Sequence, residues 1–180
     1  MRREVGAHNS HNKYSAYSNF MQATRTPKYW LMKSEPTCYL IDDLQRQRVG
    51  MWDDVRSYQA RNFMRTMKKG DLVLFYHSNA KPMGIVGLAR VQREAYPDPT
   101  QFDKTSYKYD AQSTHENPRW SAIDIAFIEK FTEPLTLTEL KNDPHFSTML
   151  VVQRGMRLSV QPVAANHFRR IVSMRSSNSK

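Results

Sequence analysis

Aromatic side chains stand beside hydrogen-bonding groups at four places in this chain: Trp30 with Lys33 and Ser34, Trp52 with Arg56, Tyr58 with Gln59 and Asn62, and Tyr76 with His77 and Ser78. These are the parts of a nucleobase pocket, in which a base stacks on aromatic faces and meets donors and acceptors at its edge. Trp30, Trp52 and Tyr76 would equally suit the core of a small barrel, so residue type alone leaves both roles open.

The least interchangeable of these residues cluster in Trp52-Asp53-Asp54-Val55-Arg56-Ser57-Tyr58-Gln59-Ala60-Arg61-Asn62-Phe63. Ala60, Phe63, Met64 and Met67 recur at helical spacing and give an apolar face, while Arg56, Gln59, Asn62 and Arg65 project elsewhere. A helix with one buried side and one donor-rich side makes a binding ledge. Arg56, Arg61, Arg65, Lys68 and Lys69 lie between Val55 and Gly70 with no acid among them. Arg61, Arg65, Lys68 and Lys69 are therefore candidate phosphate contacts, although charge runs on helices are often just solvated faces.

The net charge of +10 exaggerates this feature. Residues 1–28 carry +4 and residues 169–180 another +4, which leaves +2 for the body between them. The body is thus not a basic domain, and only the local run favours a polyanion.

Catalytic constellations are lacking. His8, His11, His77, His115, His145 and His167 show no metal-ligand spacing, and there is no Gly-rich phosphate loop. Cys38 is the single cysteine, which excludes an intramolecular disulfide and a thiolate zinc site. The acid pairs Asp42-Asp43 and Asp53-Asp54 read as helix starters that complement the macrodipole rather than as metal ligands. No metal and no cofactor are expected. A non-enzymatic binding domain is the leading expectation. The alternative is an enzyme acting on nucleic acid or modified nucleotides, with Asp53 and Asp54 or His77 as acid or base.

The elements that must position these residues are short. With 180 residues and 39% apolar composition, one domain with a true core is expected. No apolar run approaches the ~20 residues needed to span a bilayer, so no membrane partner is expected. Residues 1–27 form a flexible leader whose arginines, serines and single acid also resemble an organelle transit peptide. Tyr29 to Lys33 reads as a strand ended by Pro36, Ile41 to Leu44 as a short helix, and Arg46 to Gly50 as a loop. The ledge helix is expected to stop at Gly70. Leu72 to His77 and Ile85 to Val91 pair as a hairpin of buried strands, and residues 96–118 form a long surface loop of the kind that often carries function. Trp120 to Phe131 alternates as a half-buried strand, Thr136 and Glu139 make a capping box, Arg157 to Val163 is the last strand, and Phe168, Ile171 and Val172 mark a closing helix. Strands with short helices between them predict an α+β fold built as a small mixed barrel, and Gly87 suits the close bends of such a barrel.

Tyr29 to Pro36, the Trp52 stretch, Gly70 to Asn79, Gly84 to Leu88, Ala95 to Asp98, Asn117 to Trp120 and Arg157 to Val163 together resemble, in order, the EVE domain family. The resemblance runs from about Lys28 to Met174. It implies a PUA-like β-barrel over residues 28–174, related to the YTH reader domains, with a basic tail over 175–180 and a pocket for a modified base of DNA or RNA, such as 5-methyl- or 5-hydroxymethylcytosine. On that basis Trp30, Lys33, Ser34, Trp52, Val55, Arg56, Gln59, Asn62, His77 and Ser78 fall at or near the pocket. The resemblance also implies a nuclear protein, with the mitochondrion an alternative suggested by the leader, and a monomer is expected. Two positions depart from the family's usual Trp-Asp-Gly-Val-Arg-Asn-Tyr. Asp54 replaces the glycine, and aspartate tolerates positive φ better than most residues. Ser57 replaces the asparagine and lacks the amide edge that could face a base.

Overall fold

A computed structural model describes residues 25–176. The leader expected over 1–27 lies outside the described residues up to residue 24, and so do the last four residues of the expected basic tail. Six strands form one mixed sheet: β1 (Tyr29–Ser34), β2 (Val49–Trp52), β3 (Leu72–His77), β4 (Gly84–Pro97), β5 (Ser121–Thr136) and β6 (Val160–Val163). Among the described residues four α-helices accompany it: α1 (Ile41–Gln47), α2 (Tyr58–Thr66), α3 (Leu137–Asn142) and α4 (Ala165–Ser176). The strand order is β2-β5-β4-β3-β1-β6, with β1 and β3 parallel and every other neighbouring pair antiparallel. The α+β expectation is met by this sheet, in which β2 and β6 are the two ends. No helix among the described residues is long and apolar enough to cross a membrane.

The apolar runs of β1 and β3 follow from a sheet covered on both faces. Alternate residues divide between two cores. Trp30, Met32, Val73 and Phe75 join Trp52, Ala60, Met64 and Met67 on the face that α2 covers. Leu31, Leu74 and Tyr76 join Leu140, Phe146, Phe168 and Ile171 on the face that α3 and α4 cover. At about 25 cal/mol per Å² of buried apolar area, these two layers dominate the stability of the fold.

The long strands β4 and β5 bend through several register shifts, as bulges allow. Gly87 sits at one of them, and a Cβ there would lie 2.3 Å from the Glu129 carbonyl oxygen. The expected hairpin is β3 and β4, and the capping box at Thr136 and Glu139 is formed at the start of α3.

Several boundaries differ from the sequence expectation, and two elements run longer: the first helix to Gln47, and β4 to Pro97, into the expected long loop. Val49 to Trp52 is a strand, because Arg48 turns the chain at φ 65° after α1 and lets the next residues pair with β5. The ledge helix ends at Thr66, since Met67 is extended and buried, and Gly70 instead turns the chain into β3 at φ 90°. The fifth strand runs on to Thr136, and the sixth begins only at Val160.

Candidate functional site

A cleft of about 420 Å³ opens where β1 and β2 end and α2 begins. Its walls come from Lys33 and Ser34 of β1, Tyr39 before α1, Met51 and Trp52 of β2, the Asp53 to Ser57 turn, and Tyr107 and Lys108 of the long loop. Trp52 is buried, with its ring edge-on to Phe75 at 5.3 Å and to Tyr39 at 6.3 Å. Tyr39 donates its hydroxyl to Gln47 Oε1 at 2.6 Å and passes over Gly50, where a Cβ would meet that hydroxyl. The aromatic floor therefore depends on a glycine in β2.

The turn between β2 and α2 is held from outside by the buried carboxylate of Asp98. Its Oδ2 accepts from the Asp54 backbone N–H at 3.0 Å and from Arg56 Nη1 at 2.8 Å. Arg56 also donates to Thr100 Oγ1 and, from Nε and Nη2, to the Lys108 carbonyl. One planar guanidinium thus ties the turn to the loop at several points, which suits its rigid fork of donors. Burial pushes the Asp98 carboxyl upward, but the Arg56 and Thr100 hydrogen bonds outweigh it and hold the group below the ordinary carboxylate range.

Asp54 adopts φ 60°, the left-handed conformation that the family's glycine implies, and its Oδ2 accepts from the Tyr107 hydroxyl at 3.1 Å. That contact brings Tyr107 across the mouth of the cleft. Ser57 caps α2, accepting from the Ala60 N–H, so its hydroxyl serves the helix start. Asp53 is set differently: burial, then the nearby Asp54 and Asp98 charges, raise its carboxyl to about 6. Neither acid of the pair lies in the first turn of α2, unlike Asp42 and Asp43 in α1.

The ten expected base-pocket residues are divided by the structure. Lys33, Ser34, Trp52, Val55 and Arg56 line the cleft, and Ser78 lines a second, larger one. Trp30 is in the core, where its indole Nε1 donates to Asp71 Oδ2 at 3.0 Å and its ring packs on Phe63. His77 is buried behind the cleft, and its Nε2 accepts from the Ile41 N–H at the start of α1. Burial lowers its imidazole pKa and favours the neutral form that this contact needs. Gln59 and Asn62 are exposed on α2, and Asn62 accepts from Arg61.

The expected phosphate cations are mostly engaged within the protein. Arg61 donates to the Arg119 carbonyl at 2.7 Å, and Arg65 donates to Ser121 Oγ and the Pro118 carbonyl. Lys68 pairs with Glu94 at 2.7 Å, and Lys69 is exposed. Tyr58 stacks on Trp120 at 5.0 Å, with Arg61 over the Tyr58 ring at 4.7 Å and Arg119 donating to the Tyr58 hydroxyl. The arginines of the basic run, Arg56, Arg61 and Arg65, thus face residues 108–121 and dock that segment on α2.

Sequence reasoning missed Tyr39, Asp53 and Tyr107 as cleft walls. Tyr107 lies in a stretch without periodicity, and the loop's length was its one signal. Asp53 was visible only as half of an acid pair.

An α+β sheet with an aromatic-floored cleft between β1, β2 and a docked loop defines a PUA-like domain. The EVE domain model matches residues 28–174, and the chain belongs to that family. Human thymocyte nuclear protein 1 is 40% identical over 180 residues, covering 90% of this chain and 79% of that protein. A crystal structure of a Pseudomonas syringae protein is similar at TM-score 0.79 and 48% identity, covering 82% of this chain and 99% of its own. The human THYN1 protein in complex with DNA containing 5-methylcytosine is similar at TM-score 0.77 and 40% identity, covering 82% of this chain and 97% of that one.

Proposed function

We propose that this protein is a non-enzymatic reader of DNA that takes a modified cytosine, such as 5-methylcytosine, into the cleft over Trp52. The observation that carries the reading is the cleft itself. An aromatic floor (Trp52, Tyr39), a tyrosine across the mouth (Tyr107) and edge groups from Ser34, Lys33 and Asp53 meet in one space of about 420 Å³. The crystal complex of the similar human protein with 5-methylcytosine-containing DNA supports DNA as the partner and that base as the ligand. Trp52 and Val55 would supply apolar contact, Ser34 and Lys33 hydrogen bonds at the base edge, and Arg56 the fixed wall. Gln59, Asn62 and Lys69, exposed on or just beyond α2, would meet the flanking strand, and Arg61, Arg65 and Lys68 could add phosphate contacts only beside the acceptors they already hold.

A base drawn from a duplex costs a few kcal/mol to unstack, so stacking in the cleft and contacts to the flanking backbone must supply the affinity. One methyl group adds about 1 kcal/mol of burial, which sets selectivity near tenfold unless an edge hydrogen bond contributes. Binding rather than catalysis is favoured by the engagement of two of the candidate acids and bases, His77 and Asp54. His77 accepts from the α1 backbone, and Asp54 accepts from Tyr107.

In the same reading, residues 28–174 work as one domain. Within it α2 packs on β4, β5 and β6 across the core face shared by Trp52 and Val160, while the sheet itself stays open at β2 and β6. The protein acts as a monomer, and the relatives' name supports a nuclear location. Amide chemical-shift mapping with an oligonucleotide carrying one 5-methylcytosine tests the reading. Perturbations centred on Ser34, Trp52 to Ser57 and Tyr107 are expected, and perturbations confined to other surfaces would overturn it.

A further inference from the structure

A second cleft of about 970 Å³ adjoins the first, and Lys33, Glu35 and Ser159 line both. It runs along the 150–157 segment between the end of β3 and α3. Lys33 stands at the junction. Its Nζ donates to the Met156 carbonyl at 2.9 Å and lies 5.9 Å from the centre of the Tyr76 ring.

The charges of this second cleft differ in kind from those on α2. Lys141, Arg154 and Arg157 line it, all three exposed. Among the described residues none of these three side chains is in an ion pair, whereas Lys68 is paired with Glu94 and the guanidinium groups of Arg61 and Arg65 are spent on loop acceptors. Glu35 is the single acid on the lining and receives a hydrogen bond from Asn79 at 3.4 Å. A cation without an acid partner releases counterions when it meets a phosphate, while a paired one must first give up its partner.

Resting on the reader assignment above, we infer that the second cleft is the phosphodiester track for the strand flanking the bound base, with Lys141, Arg154 and Arg157 as its phosphate contacts and Lys33 as the junction between base and backbone. The strand leaves the Trp52 cleft past Lys33 and Ser159 and follows the 153–157 turn toward α3. Sequence information stays in the first cleft, because backbone contacts position a strand without reading it.

The test is a salt series of binding titrations with two oligonucleotides that differ only in one 5-methylcytosine, for the wild-type chain and the Arg154→Ala, Arg157→Ala and doubly substituted variants. Each single substitution is expected to weaken both oligonucleotides equally and to lower the slope of log K against log[salt] by about 0.7–0.9. The ratio between the two oligonucleotides should stay at its wild-type value. Because both arginines are exposed, thermal unfolding of each variant should match wild type. An unchanged slope with binding intact overturns the inference, as does a variant that alters the ratio alone. A wild-type protein that binds both oligonucleotides equally overturns the reader assignment, while its slopes still decide the phosphate track. A wild-type protein that binds neither overturns both.

Discussion

Arg56 Nη1 lies 2.8 Å from Oδ2 of Asp98, whose side chain is wholly buried, and the same oxygen accepts the backbone N–H of Asp54. This pair fixes the turn that carries the cleft wall to the loop that closes over it. Arg56→Ala leaves a buried carboxylate without its cation, and removing one partner of a buried pair costs about 3–5 kcal/mol. Chemical denaturation should show that loss, with Arg56→Lys intermediate because an ammonium cannot reproduce the fork of donors. The Asp98 carboxyl is held below its unfolded value, so its stabilisation is present above the ordinary carboxylate range and is lost as the pH falls through the folded-state value. The destabilisation by Arg56→Ala should therefore shrink under acid conditions.

Trp30 and Trp52 were equal candidates by residue type, and they should respond differently. Trp30→Phe keeps the ring contact with Phe63 and removes one donor from Asp71, which still accepts from Arg25, Lys28 and Lys68. A loss of about 1–2 kcal/mol in stability is expected, with no change in the preference for a modified base. Trp52→Phe should keep the fold and reduce binding of modified and unmodified oligonucleotides by a part of the about 1–3 kcal/mol per base that a whole aromatic face contributes, because the smaller ring offers less stacking area. Equal binding losses for the two variants would contradict the placement of Trp30 in the core.

Asp53 carries a pH signature of opposite sign. Its carboxyl is raised to about 6, so the folded state holds its proton more tightly than the unfolded chain. Stability from this group is full below the ordinary carboxylate range and falls as the pH rises to about 6. Asp53→Asn should therefore raise the unfolding midpoint at neutral pH, and the gain should vanish on acidification. A gain independent of pH would contradict the raised carboxyl that burial, and then the Asp54 and Asp98 charges, produce.

Arg65 is expected to act on the loop rather than on a ligand. Arg65→Ala removes the donors to Ser121 and the Pro118 carbonyl, and about 1 kcal/mol of local opening corresponds to roughly fivefold faster cleavage of residues 103–117 in limited proteolysis. The salt slope of DNA binding should stay near the wild-type value.

Legibility in the sequence followed the range of the interaction. Periodicity placed β1, the β3–β4 hairpin and the buried face of α2, because their apolar residues repeat within a few positions of one another. The capping box of α3 was visible for the same reason. The β2 strand was hidden, since Val49, Gly50, Met51 and Trp52 owe their pairing to β5, more than seventy residues away. Half of the expected base-pocket residues reach the first cleft, and the aromatic–polar pairing that selected them could not tell Trp52, at a strand end, from Trp30, whose indole is claimed by Asp71. The basic run was read without its acceptors, which are the Arg119 carbonyl, the Ser121 hydroxyl and the Glu94 carboxylate, all distant in sequence. Asp54 was the exception, because a side chain that tolerates positive φ is a local property, and it holds φ 60°.

Selection of a modified base by the Trp52 cleft can be read from a competition titration of the wild-type protein with two oligonucleotides identical except for a single 5-methylcytosine. A preference of about tenfold for the methylated oligonucleotide is expected. Equal affinity for the two would contradict it.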